Sequence, residues 1–185
     1  LRACTHVTSK GGAPNGPGRK MLGQYIYEFG GDDTKDNTTN LVTKIKFGTD
    51  GWRAIIADEY TVENVARVSF ATAQWVKENF ENPSIVIGHD CRFQGELFVE
   101  TAVKVFVSQG VAVKMAKGFI STPMISLAAV KKNCSLGVVI TASHNPPTYN
   151  GFKLKSHLGG PLSPSKVQEI EDIIQDTVAS DWKSV

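Results

Sequence analysis

Several protein classes are disfavoured by what this sequence lacks. No apolar run approaches the roughly 20 residues that a membrane-spanning helix needs. Residues 1–40 contain no apolar stretch of the length typical of a secretory signal. The 20 basic and 18 acidic residues leave a formal net charge of +2, which gives no electrostatic reason to expect nucleic acid or an anionic membrane as a partner. We therefore expect a cytoplasmic protein that binds neither.

Cysteine is also scarce. The three residues Cys4, Cys91 and Cys134 are odd in number and widely separated, so they have neither metal-ligand spacing nor the look of a disulfide framework. Scattered cysteines in a chain of ordinary composition indicate reduced thiols, as in the cytoplasm.

Residues 1–41 are poor in apolar side chains and rich in Gly, Pro, Asn, Thr and Asp. Only Met21–Phe29 contains an apolar cluster, which buries too little surface to offset the entropy lost on ordering the segment. The chain also begins with Leu1 rather than Met. We expect a disordered or non-native leader, translated from upstream of a true start near Val42. A flexible native tail is the alternative.

From Ile45 onward, short apolar runs alternate with segments of helical periodicity. Strands are expected at Ile45–Phe47, Ile85–Ile87, Val111–Ala116, Leu136–Thr141 and Gly151–Lys155. Helices are expected from a Thr61 cap to about Phe80, from Gly95 to Gln109, from a Thr122 cap to about Lys132, and from Ser163-Pro164 through Val178.

The order of these elements is β-α-β-α-β-α-β-β-α, which predicts an α/β fold. We expect one layered α/β/α domain over residues 42–180, with a mostly parallel mixed sheet and helices on both faces. Ligands of such sheets bind beyond the carboxyl ends of the strands, so the segments that follow the strands are the candidate functional sites.

The segment after the fourth strand is the richest in reactive groups. It reads Thr-Ala-Ser-His-Asn-Pro-Pro-Thr-Tyr-Asn-Gly-Phe-Lys over residues 141–153, and its Asn-Pro-Pro and Asn-Gly steps predict two turns. Ser143 and His144 would lie at the carboxyl end of a strand, and Lys153 would return on the next one. The Gly-x-Ser-x-Gly pattern of a hydrolase is missing. A phosphorylated Ser143 could be held by Lys153, backbone N–H groups and a bound Mg²⁺.

A second segment suits an anion. It reads Phe-Gly-Thr-Asp-Gly-Trp-Arg-Ala over residues 47–54 and follows an expected strand. Its glycines permit close approach of the backbone, and the guanidinium of Arg53 can bind phosphate through two donors.

Together these segments resemble the alpha-D-phosphohexomutase superfamily, which includes the phosphoglucomutases and phosphomannomutases. The resemblance extends over about residues 42–180. It implies that Ser143 is the phosphoserine of this family and that its phosphate contacts a magnesium ion. It also implies that His144, Lys153 and Arg53 lie in the active site.

A third segment, residues 88–95, reads Gly-His-Asp-Cys-Arg-Phe-Gln-Gly. It is similar to the family's Gly-Arg-Asp-x-Arg-x-Ser-Gly and departs from it at His89 and Gln94. We interpret this segment as structural, with Asp90 and Arg92 forming a pair near the end of a strand.

The resemblance implies a reaction that moves phosphate between the 1- and 6-hydroxyls of a hexose through a bisphosphate. Its substrates would be hexose mono- and bisphosphates, and either Lys153 or His144 would be the general acid and base. The family's metal loop and sugar-selecting segments lie in downstream domains that do not occur in this chain. We therefore expect an N-terminal fragment that is inactive alone, with the remaining Mg²⁺ ligands in a missing downstream domain.

Alternatives stay open. The sugar-selecting residues are absent, so a phosphoglucosamine mutase fits as a narrower member of the family. A non-catalytic module could bind sugar phosphate without turnover, although the presence of Ser143, Lys153 and Arg53 together argues against it. A purely structural α/β domain is the third alternative. The sequence does not indicate the oligomeric state.

Overall fold

A computed structural model describes residues 42–185 of the chain. The expected leader, residues 1–41, lies outside the described residues. The strands are β1 (Trp52–Ile55), β2 (Ser84–His89), β3 (Ala112–Phe119), β4 (Leu136–Ile140) and β5 (Tyr149–Ser156). The helices are α1 (Val62–Asn79), α2 (Gly95–Ser108), α3 (Thr122–Lys131), α4 (Pro164–Asp172) and a final 3₁₀ helix (Ser180–Ser184). Within residues 42–185, no helix combines the length and the apolar character needed to cross a membrane.

The five strands form one sheet in the order β1-β5-β4-β2-β3. Strand β2 is parallel to both of its neighbours, whereas β5 is antiparallel to β4 and β1. Four strands therefore share a direction and β5 opposes them, which confirms the predicted mostly parallel mixed sheet. The reversal at β5 is possible because β4 and β5 are joined by a short loop, while the parallel strands are joined through helices.

Helices cover both faces of the sheet, as predicted. Residues of alternate parity along each strand point to opposite faces. Ile85 and Ile87 pack into the larger core with α1, α2 and α4, whereas Val86 packs with α3 in a smaller core on the other face. The α3 face is the one that matters for the candidate site.

Among the described helices, α1 is the one whose start is capped by a side chain. The side chain of Thr61 accepts a hydrogen bond from the backbone N–H of Asn64 at 3.2 Å, so α1 begins where the sequence predicted. At α3 the cap is Ser121 rather than the expected Thr122, and Pro123 still occupies the first turn. Gly110, with φ of +76°, follows the end of α2.

The first predicted strand is wrong. Ile45 and Phe47 are buried in the larger core, but their backbone is irregular. The N–H of Phe47 donates to the carboxylate of Glu171 at 2.8 Å instead of to a neighbouring strand. The strand begins further on, at Trp52, where burial alternates and β1 pairs with β5. An apolar triplet indicates burial, and the partner of its backbone is decided by the tertiary structure.

The last helix is also shorter than predicted. It ends at Asp172, so Ile174 and Val178 lie beyond it. Arg67 of α1 holds the segment after Asp172, because its buried guanidinium donates to the carbonyl of Gln175 at 2.7 Å. The same guanidinium donates to the carbonyl of Thr43 at 2.9 Å. One arginine thus connects the segment before β1 and the segment after α4 to α1.

Replacing Arg67 is expected to destabilise the fold. In Arg67→Met the carbonyls of Thr43 and Gln175 lose their donor, which we expect to lower the free energy of unfolding by about 2–4 kcal/mol. Urea unfolding of residues 42–185 measures the change. Lys77→Met, at an exposed position of the same helix, is the matched control and should change stability by less than about 0.5 kcal/mol. Equal effects of the two substitutions would contradict this role of Arg67.

Candidate active site

The loop between β4 and β5, residues 141–148, is called the serine loop here. Its first residue, Thr141, is the centre of a local network. The Thr141 hydroxyl donates to the carboxylate of Asp90 and accepts the N–H of Ser143 at 3.0 Å. Further along, the N–H of Asn145 donates to the carbonyl of Ala142 at 3.1 Å, which closes the first turn.

A second turn follows Asn145 as predicted, because the N–H of Tyr149 donates to the carbonyl of Pro146 at 3.0 Å. The turn predicted at Asn150-Gly151 is wrong: both residues lie in β5, where pairing with β1 keeps them extended.

Ser143 has an unusual backbone conformation. Its φ is +57°, in the left-handed region, which costs a residue other than glycine about 1–2 kcal/mol. Both of its hydrogen bonds within the described chain are made by the backbone, and the side chain is exposed. Strained residues persist where their surroundings force the conformation, and they cluster at functional sites. The hydroxyl is therefore free for chemistry.

Ser143 opens onto a cavity of about 480 Å³ at the carboxyl end of β4. The cavity is lined by Asp90, Ile120, Ser121, Thr122, Val139, Thr141, Ser143 and His144. Ser121 and Thr122 belong to the start of α3, and the N-terminal end of a helix favours negative charge. The volume is within the range of small-molecule sites. The cavity therefore suits a small ligand with negative charge at the α3 end.

Arg92 binds the backbone of the serine loop. Its guanidinium donates to four carbonyl groups of the loop and its end, those of Ser143, Asn145, Pro146 and Tyr149, at 2.6 to 2.9 Å. Its Nε also lies 3.5 Å from the Asp90 carboxylate, so the expected pairing is present. Sequence reasoning missed the contacts to the loop. The available signal was the position of Arg92 just after β2, the strand that neighbours β4.

Arg53 also contacts the serine loop. It lies on β1 directly across from Gly151 of β5, and its Nη1 donates to the Asn145 side chain at 3.0 Å. The structure thus brings Arg53 to the serine loop, where the resemblance implied an active-site arginine. The half-buried guanidinium retains further donors for a ligand.

Lys153 lies on β5 with its side chain on the same face as the cavity. It is paired with Val139, a cavity residue, and directly paired side chains share a face of the sheet. Its amine donates to the Asp50 carboxylate at 2.6 Å. Within the described chain, the Lys153 amine binds Asp50 and makes no hydrogen bond to Ser143 or His144.

Lys155 binds the same carboxylate. Its amine lies 3.1 Å from the other oxygen of Asp50. Both lysines are buried, at 4% and 5% exposure. Sequence reasoning missed Asp50 and Lys155, although lysines two apart on a strand share a face.

Gly51 makes this arrangement possible. Its φ is +103°, and a Cβ there would lie 2.6 Å from the carbonyl oxygen of Phe152 and 2.9 Å from Cγ of Lys153. Only glycine lets the turn after Asp50 approach β5 closely.

The surroundings of Asp50 change its pKa. Burial acts to raise the pKa, but the hydrogen bonds and charges of Lys153 and Lys155 outweigh burial, so the pKa is lower than usual. Asp50 therefore stays ionised beside the two lysines at neutral pH.

Comparison with known proteins decides the family. The family described as phosphoglucomutase/phosphomannomutase, alpha/beta/alpha domain I, matches residues 44–180. The chain belongs to this family. The predicted family membership is therefore confirmed, and the fold is that of domain I.

Relatives within the family include a phosphoglucosamine mutase of Clostridium botulinum (strain Kyoto / Type A2), 38% identical over 139 residues. A phosphoglucosamine mutase of Clostridium kluyveri is 37% identical over 139 residues. Each alignment covers 75% of this chain and 30% of the relative. The chain therefore spans about a third of the length of the curated relatives it matches.

Solved structures of the family agree. A candidate phosphomannomutase from Thermus thermophilus superimposes with a TM-score of 0.73 and 32% identity, over 75% of this chain and 32% of that chain. The open form of the phosphoglucomutase parafusin from Paramecium has a TM-score of 0.65 and 20% identity, over 77% of this chain and 29% of that chain. The second likeness shows the fold alone.

Removing the fork of donors on Arg92 is expected to loosen the serine loop. Lysine keeps the charge but cannot reach four carbonyls, so in Arg92→Lys the amides of Ser143, Asn145 and Tyr149 should exchange with solvent about 10-fold faster or more. Hydrogen-exchange measurements on residues 42–185 test this. Cys91→Ser, at an exposed neighbouring position, is the control. Unchanged exchange in Arg92→Lys would contradict the role of Arg92 in shaping the loop.

The lowered pKa of Asp50 predicts a pH dependence of stability. A carboxyl with a lower pKa in the folded chain stabilises the fold above its unfolded pKa of about 3.9, and this stabilisation is lost as the pH falls through the folded value. Asp50→Asn should therefore be less stable than the wild type at pH 7, and the difference should shrink towards pH 3.

Urea unfolding at several pH values measures this difference. Asp58→Asn, which replaces an exposed carboxylate, is the control and should change stability little at any pH. A wild-type advantage over Asp50→Asn that persisted undiminished at pH 3 would contradict the ion pairing of Asp50.

Proposed function

We propose that residues 42–180 are the active-serine domain of a phosphohexomutase of the cytoplasm and that Ser143 carries the phosphate that the enzyme transfers. The reaction would move phosphate between the 1- and 6-hydroxyls of a hexose. The main support is the environment of Ser143, an exposed and strained serine at the edge of a cavity, on a loop held by Arg92. Membership of the phosphoglucomutase/phosphomannomutase family supports the same proposal.

The transfer would occur in two matched steps. In the first, a hydroxyl of the sugar monophosphate attacks phosphorus, the bond from phosphorus to the Ser143 oxygen breaks, and a sugar bisphosphate forms. In the second, after the sugar has turned around, the Ser143 oxygen attacks the other phosphorus, the bond from that phosphorus to the sugar oxygen breaks, and the sugar leaves as the isomeric monophosphate. Each step moves one phosphoryl group and one proton, so the serine ends as it began.

Positive charge near the serine supports this proposal. The transferring phosphoryl group spreads negative charge over its oxygens, and enzymes stabilise it mainly by positioned charges and donors. Arg53 contacts the serine loop through Asn145, and the start of α3 lines the same cavity. Lys153 shares the face of the sheet with Val139 in the cavity wall. These groups are suited to hold phosphate on Ser143 and on the sugar.

A proton must leave the attacking hydroxyl and reach the departing oxygen, and two residues can carry it. His144 is exposed and lines the cavity beside Ser143. Lys153 is engaged with Asp50 and would have to leave that contact first. We keep both as candidates for the general acid and base.

The family uses Mg²⁺, and a phosphate on Ser143 would be its ligand in this chain. The rest of the site does not fit a metal by itself, because residues 42–185 contain no group of three or more His, Cys, Asp or Glu side chains that could hold one. Bound Mg²⁺ supplies charge stabilisation to phosphoryl transfer. The remaining ligands would come from outside the described residues.

The sugar is the open part of the proposal. We take hexose mono- and bisphosphates as the substrates. A hexosamine phosphate is the second candidate, because relatives with 37–38% identity are named phosphoglucosamine mutase. A non-catalytic module that binds sugar phosphate is the remaining alternative. We expect the 185-residue chain to have no turnover alone, because it covers 30% of such a relative.

Phosphate on Ser143 is the direct test. We expect mass spectrometry of the protein from its natural source to show phosphate on the Ser143 peptide, and incubation with a hexose or hexosamine monophosphate to remove it. Ser143→Ala should carry no such phosphate. Ser121→Ala, which changes another serine of the cavity wall, should keep it. A Ser143 that stays unmodified even with hexose bisphosphate and Mg²⁺ would overturn the mutase and favour the binding module.

A further inference from the structure

Two lysines share one carboxylate at the edge of the candidate site. The amines of Lys153 and Lys155 contact different oxygens of Asp50, at 2.6 and 3.1 Å. They reach it together because their spacing on β5 puts them on one face, opposite Val139 and Gly137 of β4. We call this group the Asp50 cluster.

The charge of the Asp50 cluster is unbalanced. Two ammonium groups face one carboxylate, and both lysine side chains are only 6% exposed. One buried lysine would be enough to pair with Asp50, and each further buried charge is costly unless something compensates it. A second lysine at this place therefore calls for a physical reason.

The proposed reaction supplies that reason, because it gives Lys153 a second partner. Lys153 would have to leave Asp50 to bind the phosphate on Ser143 or to pass a proton. If Lys153 were the only partner, its departure would leave a carboxylate without a countercharge, and the pull of that carboxylate would keep the lysine in place. With Lys155 on the other oxygen, Asp50 stays paired throughout.

We propose that Lys155 is a positioning residue, which holds the Asp50 carboxylate so that Lys153 is free to move to the phosphate on Ser143. This inference rests on the proposed function, in which phospho-Ser143 donates to a sugar. Lys153 binds Asp50 when it is not bound to the phosphate. Lys155 lowers the free energy that Lys153 needs to leave Asp50. Lys155 itself touches neither the phosphate nor the sugar.

The experiment measures how fast phospho-Ser143 loses its phosphate to a hexose monophosphate in a single turnover of the full-length protein. Lys155→Met keeps the apolar stem and removes the charge. We expect the rate to fall about 10-fold or more, since contacting residues couple by this much. Lys155→Arg keeps a cation beside Asp50 and should retain most of the rate.

The decisive comparison is the double variant. Asparagine at position 50 needs no countercharge, so Lys155→Met should have little effect in the Asp50→Asn background. A structural effect of Lys155 would instead slow both backgrounds, and thermal unfolding of each variant shows whether the fold is retained. Lys114→Met changes an exposed lysine on β3 and is the matched control, expected to match the wild type.

The outcomes separate the two proposals. If wild-type phospho-Ser143 does not pass its phosphate to any hexose or hexosamine monophosphate, the proposed function fails and this inference fails with it. If the wild type does transfer phosphate and Lys155→Met is as fast, the role of Lys155 alone is overturned. Equal slowing by Lys155→Met in both Asp50 and Asp50→Asn backgrounds would overturn it as well.

Discussion

The hydrogen bonds from Arg92 to the serine loop are the interaction on which the candidate site depends. Four carbonyl groups converge on one guanidinium, so the peptide groups of the loop cannot turn independently. Asp90 keeps the arginine in place and also accepts the Thr141 hydroxyl. The left-handed conformation of Ser143 follows from this network, because local preference alone would not maintain it.

The register of the sheet determines which cationic side chains lie on the face of the cavity. Strand β5 lies between β1 and β4, so residues of both neighbours meet its side chains on the cavity face. Arg53 is across from Gly151, and Lys153 is across from Val139. A slip of one residue would send these side chains to the opposite face, where the larger core lies. The core that stabilises the fold therefore also specifies which cations reach the site.

Charge at this edge of the sheet is mainly positive. Arg53, Lys153 and Lys155 stand against a single carboxylate, that of Asp50, while Asp90 and Arg92 pair with each other. A phosphoserine at neutral pH carries roughly −1.5 to −2. The excess of cations suits a phosphoserine. Without the phosphate, these cations would outnumber the carboxylates that can pair with them. The same cations therefore affect both the stability of the fold and the binding of phosphate.

Much of the architecture could be predicted because it is encoded locally. Alternating apolar runs and caps such as Thr61 specify the order of strands and helices, since these patterns act over a few residues. The same reasoning failed where distant contacts decide. The segment around Ile45 and Phe47 is buried without being a strand, and α4 ends early where Arg67 holds the chain that follows. An apolar segment of the sequence predicts burial. The sequence does not show which distant group will be the hydrogen-bond partner of its backbone.

The sequence by itself determined the family, the order of the elements, and the placing of Ser143 at the end of a strand. Its motifs are contiguous, so they can be recognised without a folded chain. Only the tertiary structure decided that Arg92 binds the serine loop and that two lysines share Asp50. These partners are 51 to 105 residues apart in the chain. Contacts over such separations depend on strand order and register, which no local pattern contains.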